Sequence, residues 1–295
     1  LSFERNILLY LFSLCSLYHA VAQRSLHFEN YSSDQGLSQL SCYALAQDSD
    51  GFIWVGTQDG LNRYDGQRFK VYAQQHEEGS KLPSNAIFTL HYDSAHHLLW
   101  VGTSGGLCLY HPPGDSLARL SDFFPFATDL EKLPIKKIVS FKKDEYWIIA
   151  FNTGLFYLNT ATKTMQSFFT ESKYRSDVTD MVRHDGKIIV SLLYTLYELV
   201  PQGRAYHPKV LMEDYQFPQI EAIASYDHRL WIGTITSGCY YISNPIHKKE
   251  NIATSDIVSG GVYCFAVDAV NQLWIGSRGN GIYRYDPATN SVIQA

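Results

Sequence analysis

Residues 47–66 read QDSDGFIWVGTQDGLNRYDG, and the tryptophan-centred core of that stretch recurs along the chain. The copies are Ile53-Trp54-Val55-Gly56-Thr57, Leu99-Trp100-Val101-Gly102-Thr103, Tyr146-Trp147-Ile148-Ile149-Ala150, Leu230-Trp231-Ile232-Gly233-Thr234 and Leu273-Trp274-Ile275-Gly276-Ser277. All five tryptophans fall in this slot, at spacings of 46, 47, 84 and 43 residues. The long spacing divides at a degenerate copy, Ile188-Ile189-Val190-Ser191, in which Ile188 takes the tryptophan slot. Six units of about 44 residues therefore run from about residue 40 to 295, and short strands at that period are the signature of β-propeller blades.

Each unit has the same anatomy. Strand a is apolar with a closing Asp, as in Cys42/Leu45/Asp48, Ile87/Leu90/Asp93 and Val262/Phe265/Asp268. A turn such as Asp48-Ser49-Asp50-Gly51 or Asp185-Gly186 leads into strand b, which carries the tryptophan. A Gly-rich turn (Gln58-Asp59-Gly60, Ser104-Gly105-Gly106, Asn152-Thr153-Gly154, Thr236-Ser237-Gly238, Gly279-Asn280-Gly281) precedes strand c, which runs to a Tyr. Strand d closes the unit, for example Arg68-Phe69-Lys70-Val71-Tyr72. Strands b are apolar almost throughout because blades pack on both faces, and the repeated tryptophan reads as a wedge between blades. The expected fold is an all-β propeller of four-stranded antiparallel blades at about 40–75, 84–123, 134–170, 175–207, 217–250 and 257–295. The fourth unit, with Ile188 and Thr195 in place of the packing Trp and turn Gly, is expected to be the least regular.

Composition agrees. The 295 residues are 45% hydrophobic and 14% aromatic, with 21 Tyr against 3 Met, a balance suited to sheet. With 24 Lys+Arg against 29 Asp+Glu there is no basic surplus for phosphate, which argues against nucleic acid as a partner. Residues 1–22 read as a signal peptide: Arg5, the apolar stretch Ile7 to Leu17, and Ala20-Val21-Ala22 as a small-x-small cleavage site. That stretch falls short of the roughly 20 apolar residues needed to span a bilayer. The chain starts at Leu1 rather than Met, and we expect a piece of a longer reading frame. Residues 23–295 are then exported.

Gly36-Leu37-Ser38 followed by Gln47 to Gly66 closely resembles the two-component regulator propeller repeat. The resemblance spans about residues 26–295, strongest in units one, two and six and poorest in unit four. It implies the periplasmic sensor region of a bacterial signalling protein, with a histidine kinase or diguanylate cyclase as parent and a tether to the inner membrane through a downstream segment. It further implies downstream domains of the same chain as partners, a glycan or other small molecule as ligand, and a homodimer whose arrangement the ligand biases. The family has no shared catalytic residues, so no enzyme activity and no cofactor are expected of the chain itself. A secreted propeller lectin or polysaccharide-active enzyme is the alternative, and it predicts His, Tyr, Arg or carboxylates converging on the channel.

No motif points to bond-breaking chemistry. Asp48-x-Asp50-Gly51 starts like a calcium loop, but no Glu follows at the twelfth position, so a hairpin turn is expected and no metal site. His91, His96 and His97 lack zinc-ligand spacing and read as surface histidines. Cys108 and Cys239 each lie eight residues after their tryptophan, on blades that are not neighbours, so buried free thiols are expected. The site expectation comes from topology: the d–a connections and b–c turns share one end of the central channel. That places Asp59, Asn152, Tyr194, Thr236, Arg278 and Asn280 together as candidate ligand-binding residues, able to hold a sugar or a carboxylate.

Ring closure is the last expectation. Phe28-x-x-Tyr31 matches Phe69-x-x-Tyr72, so residues 26–31 read as an outer strand ahead of its own blade. The sixth unit already owns an outer strand at Asn290-Ser291-Val292-Ile293. The six blades are therefore expected to belong to a ring of at least seven, with a gap between blades six and one and with Cys42 and Cys264 too far apart to bond.

Overall fold

A computed structural model describes residues 29–74, 81–171, 178–203, 205–212, 216–243, 252–255, 260–289 and 291–294. The expected signal peptide and residues 26–28 lie outside them. Glu29 and Asn30 are irregular, and the propeller unit starts at Tyr31. Tyr31 is likewise irregular and leads into a 3-10 turn at Ser33–Gln35, capped by Ser32. Its ring packs edge-on against Tyr64 (5.2 Å) and Phe69 (6.0 Å).

Six four-stranded antiparallel blades follow, arranged as a propeller. Blade one is β1 (Cys42–Gln47), β2 (Ile53–Thr57), β3 (Gly60–Tyr64) and β4 (Phe69–Tyr72). Blade two is β5 (Ile87–Asp93), β6 (Leu98–Thr103), β7 (Gly106–His111) and β8 (Ser116–Arg119). Blade three is β9 (Ile135–Lys142), β10 (Glu145–Ala150), β11 (Gly154–Asn159) and β12 (Thr164–Phe168). Blade four is β13 (Val178–His184), β14 (Lys187–Leu192), β15 (Thr195–Gln202) and β16 (Ala205–Val210). Blade five is β17 (Ile220–Tyr226), β18 (Arg229–Thr234), β19 (Cys239–Ser243) and β20 (Ile252–Ser255). Blade six is β21 (Val262–Val267), β22 (Leu273–Ser277), β23 (Ile282–Asp286) and β24 (Ser291–Gln294). The one described α-helical turn, Leu120–Phe123, lies between blades two and three. No described helix is long and apolar enough to cross a membrane.

The repeated Trp-x-Gly is an inter-blade device. Four of the five tryptophans lie against a tyrosine of the following blade: Trp54 on Tyr110 (4.4 Å), Trp100 on Tyr146 (4.2 Å), Trp147 on Tyr206 (5.0 Å) and Trp231 on Tyr285 (4.7 Å). These four indoles are fully buried. At roughly 150–250 Å² apiece and about 25 cal/mol per Å², each burial is worth about 4–6 kcal/mol before entropy. The glycine two residues on leaves room for the first residue of the next strand a. A Cβ on Gly56 would lie 2.7 Å from Ile87 Cγ2, on Gly102 2.7 Å from Ile135 Cγ2, and on Gly233 2.6 Å from Val262 Cγ1.

Register corrects the reading of the fourth blade. Thr57, Thr103, Thr234 and Ser277 pair with Cys42, Ile87, Ile220 and Val262, and in blade four Leu192 pairs with Val178. Counting back three residues puts Ile189, not Ile188, in the tryptophan slot, with Ser191 in the glycine slot. Ile189 is fully buried in the core shared with blade five, beside Met212, Phe217 and Ile220. The blade is also not irregular: its strands are six to eight residues long and fully laddered. A charged tie also links this blade to its neighbours. Asp180, buried at the channel, accepts from Met181 N (2.6 Å) and Ile223 N (3.0 Å) and is bonded by Lys137 Nζ.

Polar clusters stitch other interfaces. Between blades one and two, Asp115 accepts from Tyr72 Oη (2.5 Å), Tyr110 Oη (2.7 Å), Lys70 Nζ (2.6 Å) and Arg63 Nη1 (3.1 Å). Burial pushes its carboxyl up, but these donors outweigh it and hold it far below the usual carboxylate range. Between blades two and three, His96 sits between Asp93 (Nδ1, 2.6 Å) and Asp144 (Nε2, 3.0 Å). His91 is half-buried, and burial lowers its pKa. His96 and His97 are thus at the surface as expected, while His91 is half-buried.

Five buried cores join successive blades, and among the described residues none joins blade six to blade one. Trp274 is only half-buried, and a Cβ on Gly276 would meet Cys264 but no neighbouring blade. On the facing side Leu45 is 69% exposed and Cys42 is exposed. Four of the five tryptophans are thus fully buried, and Trp274 is half-buried because among the described residues no following blade covers it.

Candidate functional site

Backbone hydrogen bonds gather the b–c turns and d–a segments at one channel end, as the topology requires. Gly60 N donates to Asn85 O (2.8 Å), Phe151 N to Pro134 O (2.8 Å), Ile220 N to Leu193 O (2.6 Å), Gly238 N to Gly260 O (2.8 Å) and Arg278 N to Gly261 O (2.8 Å). The b–c turns must be tight here. At Gly106 (φ 152°) a Cβ would fall 1.8 Å from Glu131 O, so only glycine fits.

The six sequence-derived candidates all stand in these turns, on blades one, three, four, five and six. Asp59 is exposed and accepts from Asn85 Nδ2 (3.0 Å). Asn152 is exposed in the left-handed region (φ 54°). Tyr194 is 48% exposed, and its carbonyl accepts from Phe217 N (2.9 Å). Thr236 Oγ1 is 3.4 Å from Ser237 Oγ. Arg278 and Asn280 share the blade-six turn; the Arg278 guanidinium lies 5.9 Å from the Tyr263 ring centre, and the Asn280 carbonyl accepts from Gln294 Nε2 (3.1 Å).

A second set was not anticipated. Every a–b ladder carries a β-bulge at the start of strand a, between Cys42/Ala44, Ile87/Thr89, Ile135/Lys137, Val178/Asp180, Ile220/Ala222 and Val262/Cys264. Each bulge leaves one residue out of the ladder: Tyr43 and Tyr263 are exposed, Phe88, Lys136 and Glu221 are half-buried, and Thr179 is buried. Bulges re-aim side chains, and they concentrate beside functional sites. Here they make a row of rings, with Tyr43 5.6 Å from Phe88 and Phe88 5.4 Å from Phe151. Across the channel, Lys136 Nζ is 3.6 Å from Glu221 Oε1, spanning from blade three to blade five. The signal available in sequence was the residue one beyond the first apolar position of each strand a.

Rings, amides, a hydroxyl and a guanidinium are groups that can hold a ligand without covalent chemistry. No cluster that could hold a metal ion occurs among the described residues. Asp48 acts as a turn, accepting from Asp50 N, Phe52 N and the Trp54 indole N–H. Cys108 and Cys239 are buried free thiols, pushed well up by burial, while Cys42 and Cys264 are exposed and free. At the opposite end, a groove of about 690 Å³ runs between blades three and four, lined by Tyr157, Asn159 and Tyr206 among others. The Gln166 side chain spans it, bonded both ways to the Tyr206 backbone.

Comparison with known proteins places these features. Residues 36–59 match the profile of the two component regulator propeller family. A 72-residue segment is 36% identical to histidine kinase P4 of Formosa agariphila, covering 24% of this chain and 5% of that protein. The extracellular domain of a hybrid two component system of B. thetaiotaomicron superposes with a TM-score of 0.71 at 22% identity, over 90% of this chain and 36% of that one. Virginiamycin B lyase of Staphylococcus aureus shares the fold at TM-score 0.61 and 12% identity, over 86% of this chain and 83% of that one. At these identities the structural likenesses show the propeller fold alone. The chain spans about a third of the B. thetaiotaomicron domain and a small part of the kinase.

Proposed function

We propose that the chain is the extracytoplasmic ligand-sensing module of a membrane-bound two-component regulator. The observation that carries this reading is the match of residues 36–59 to the two component regulator propeller profile, within a blade that five others repeat. The module contributes binding rather than bond-breaking. A glycan or other small molecule engages the channel mouth through Asp59, Asn152, Tyr194, Thr236, Arg278 and Asn280. Such a ligand acts only if it binds two arrangements of a homodimer with different affinity, so that occupancy shifts the output of downstream domains. A downstream segment tethers the module to the inner membrane.

The test is made in the longer parent protein in bacterial membranes. Kinase or cyclase output is followed while cells meet a panel of oligosaccharides, with residues 23–295 present or deleted. The proposal expects a response to at least one of them that vanishes with the deletion. A response that survives deletion overturns it. So does release of shortened sugars by the chain alone, which would favour a polysaccharide-active enzyme.

A further inference from the structure

One pair of tyrosines repeats the walls of a tryptophan socket without burying an indole. Between blades one and two, Trp54 lies against Tyr72 of its own outer strand (5.8 Å) and Tyr110 of the next blade (4.4 Å). Those two tyrosines meet edge to face, 5.6 Å apart at 69°. Tyr31 and Tyr64 repeat the pair at 5.2 Å and 66°. The positions correspond: Tyr64 and Tyr110 each lie ten residues after a tryptophan, and Tyr31 closes a Phe-x-x-Tyr as Tyr72 does. The burial does not. Tyr72 and Tyr110 are buried, whereas Tyr31 is 42% exposed and Tyr64 is half-buried. An indole seated between the rings accounts for that difference.

Blade six presents the complementary half of the same interface. The Trp-x-Gly glycines of blades one, two and five back onto the first residue of the next strand a, Ile87, Ile135 and Val262. Gly276 backs onto Cys264 of its own sheet, and Trp274 is half-buried. Val267 and Ile282 are exposed on that blade, as Leu45 is on blade one. Apolar groups at slots that the filled interfaces bury mark a face shaped for another sheet.

The 295 residues hold no indole to spare. Four of the five tryptophans are buried in filled interfaces, and the fifth, Trp274, stands on the blade-six face. Closing blade six directly onto blade one would bring Trp274 onto Tyr64 and Cys42 onto Gly276. Neither contact exists among the described residues.

We propose that the faces of blades six and one together receive one further four-stranded blade of the same repeat, carried by the longer parent chain, and that its tryptophan fills the socket between Tyr31 and Tyr64. Its first strand-a residue lies on Gly276, a ring of its strand c covers Trp274, and its Trp-x-Gly glycine receives Cys42 as Gly56 receives Ile87. The inference does not depend on what the module senses.

The test follows maleimide labelling of Cys42 by mass spectrometry, in this chain and in the longer parent. Buried Cys108 is the internal check that each protein is folded. Cys42 should react at least tenfold more slowly in the parent than in the chain alone. Tyr64→Ala removes one wall of the socket, so it should restore fast labelling in the parent and change nothing in the chain alone. Should Cys108 of that variant react as well, the milder Tyr64→Leu is read in its place. Tyr31→Phe keeps its ring and should keep the protection. Equal labelling of Cys42 in chain and parent overturns the inference, and so does protection in the parent that survives loss of the Tyr64 ring. Slow labelling in the chain alone, at every concentration, overturns it by showing blades six and one closed on each other. Protection that grows with the concentration of the chain overturns it in favour of a second copy on these faces.

Discussion

Removing Trp100 and removing Trp274 should have very different costs, although the two occupy the same slot of the repeat. Trp100 is fully buried between Tyr146 (4.2 Å, stacked) and Phe124 (5.5 Å, stacked) of the segment leading into and through blade three. Trp100→Ala opens a cavity where collapse is hindered by both sheets, and such truncations cost about 3–5 kcal/mol. The two ring contacts push toward the upper end of that range. The indole N–H has no hydrogen-bond partner, so its loss returns a little. Trp274 is half-buried, with no following blade against it among the described residues, and its indole N–H donates to Asp268 Oδ2 (2.8 Å). Trp274→Ala truncates a partly exposed ring, leaves no closed cavity between two sheets and loses one part-buried bond, so it should cost about 1 kcal/mol or more less than Trp100→Ala. Urea unfolding of both variants, compared through midpoints at matched slopes, reads the difference. Costs within about 0.5 kcal/mol of each other would refute the reasoning, since they would mean that the blade-six face is packed in solution as firmly as the others.

Three further outcomes follow from the packing. Asp180→Ala leaves the buried Met181 and Ile223 N–H groups without their acceptor, so it should cost about 2–5 kcal/mol and speed hydrogen exchange through 178–192; a loss under about 1 kcal/mol would show that water replaces the carboxylate. Asp115 has a folded pKa below its unfolded value, so its contribution is present above about pH 4 and lost as pH falls through the lower folded value. Asp115→Asn should therefore flatten the acid limb of stability against pH, and an unchanged limb would assign acid sensitivity elsewhere. Cys42 and Cys264 should react with a thiol reagent in the native protein while Cys108 and Cys239 wait for unfolding; equal rates would contradict the burial of the latter pair.

The fold was legible because its two devices are rare residue types in fixed positions. A tryptophan at period 43–47 and a glycine two residues later have one reading, since only a neighbouring sheet buries the first and needs the second. Blade four shows where that legibility stops. Lys187-Ile188-Ile189-Val190-Ser191 holds three apolar residues in a row, and without Trp or Gly nothing in the string sets the phase. The bulge between Val178 and Asp180 sets it, and a bulge adds one residue that no composition betrays. For the same reason the turn residues of the mouth were found and the bulge residues were not. Gly and Asn announce a turn, whereas Tyr43 and Phe88 look like any strand residue until the register is known. The half-exposure of Trp274 was hidden because identical motifs pack differently when one lacks a neighbour.

The most direct test of the account is a hydrogen-exchange footprint of the chain with and without the panel oligosaccharide to which the longer parent responds. The account predicts slowed exchange in the b–c turns, around 58–60, 152–154, 193–195, 236–238 and 277–281. The a–b and c–d turns at the other end should stay unchanged. Protection centred on the groove between blades three and four, around 157–166 and 205–208, would contradict it and move the site to the opposite end of the propeller.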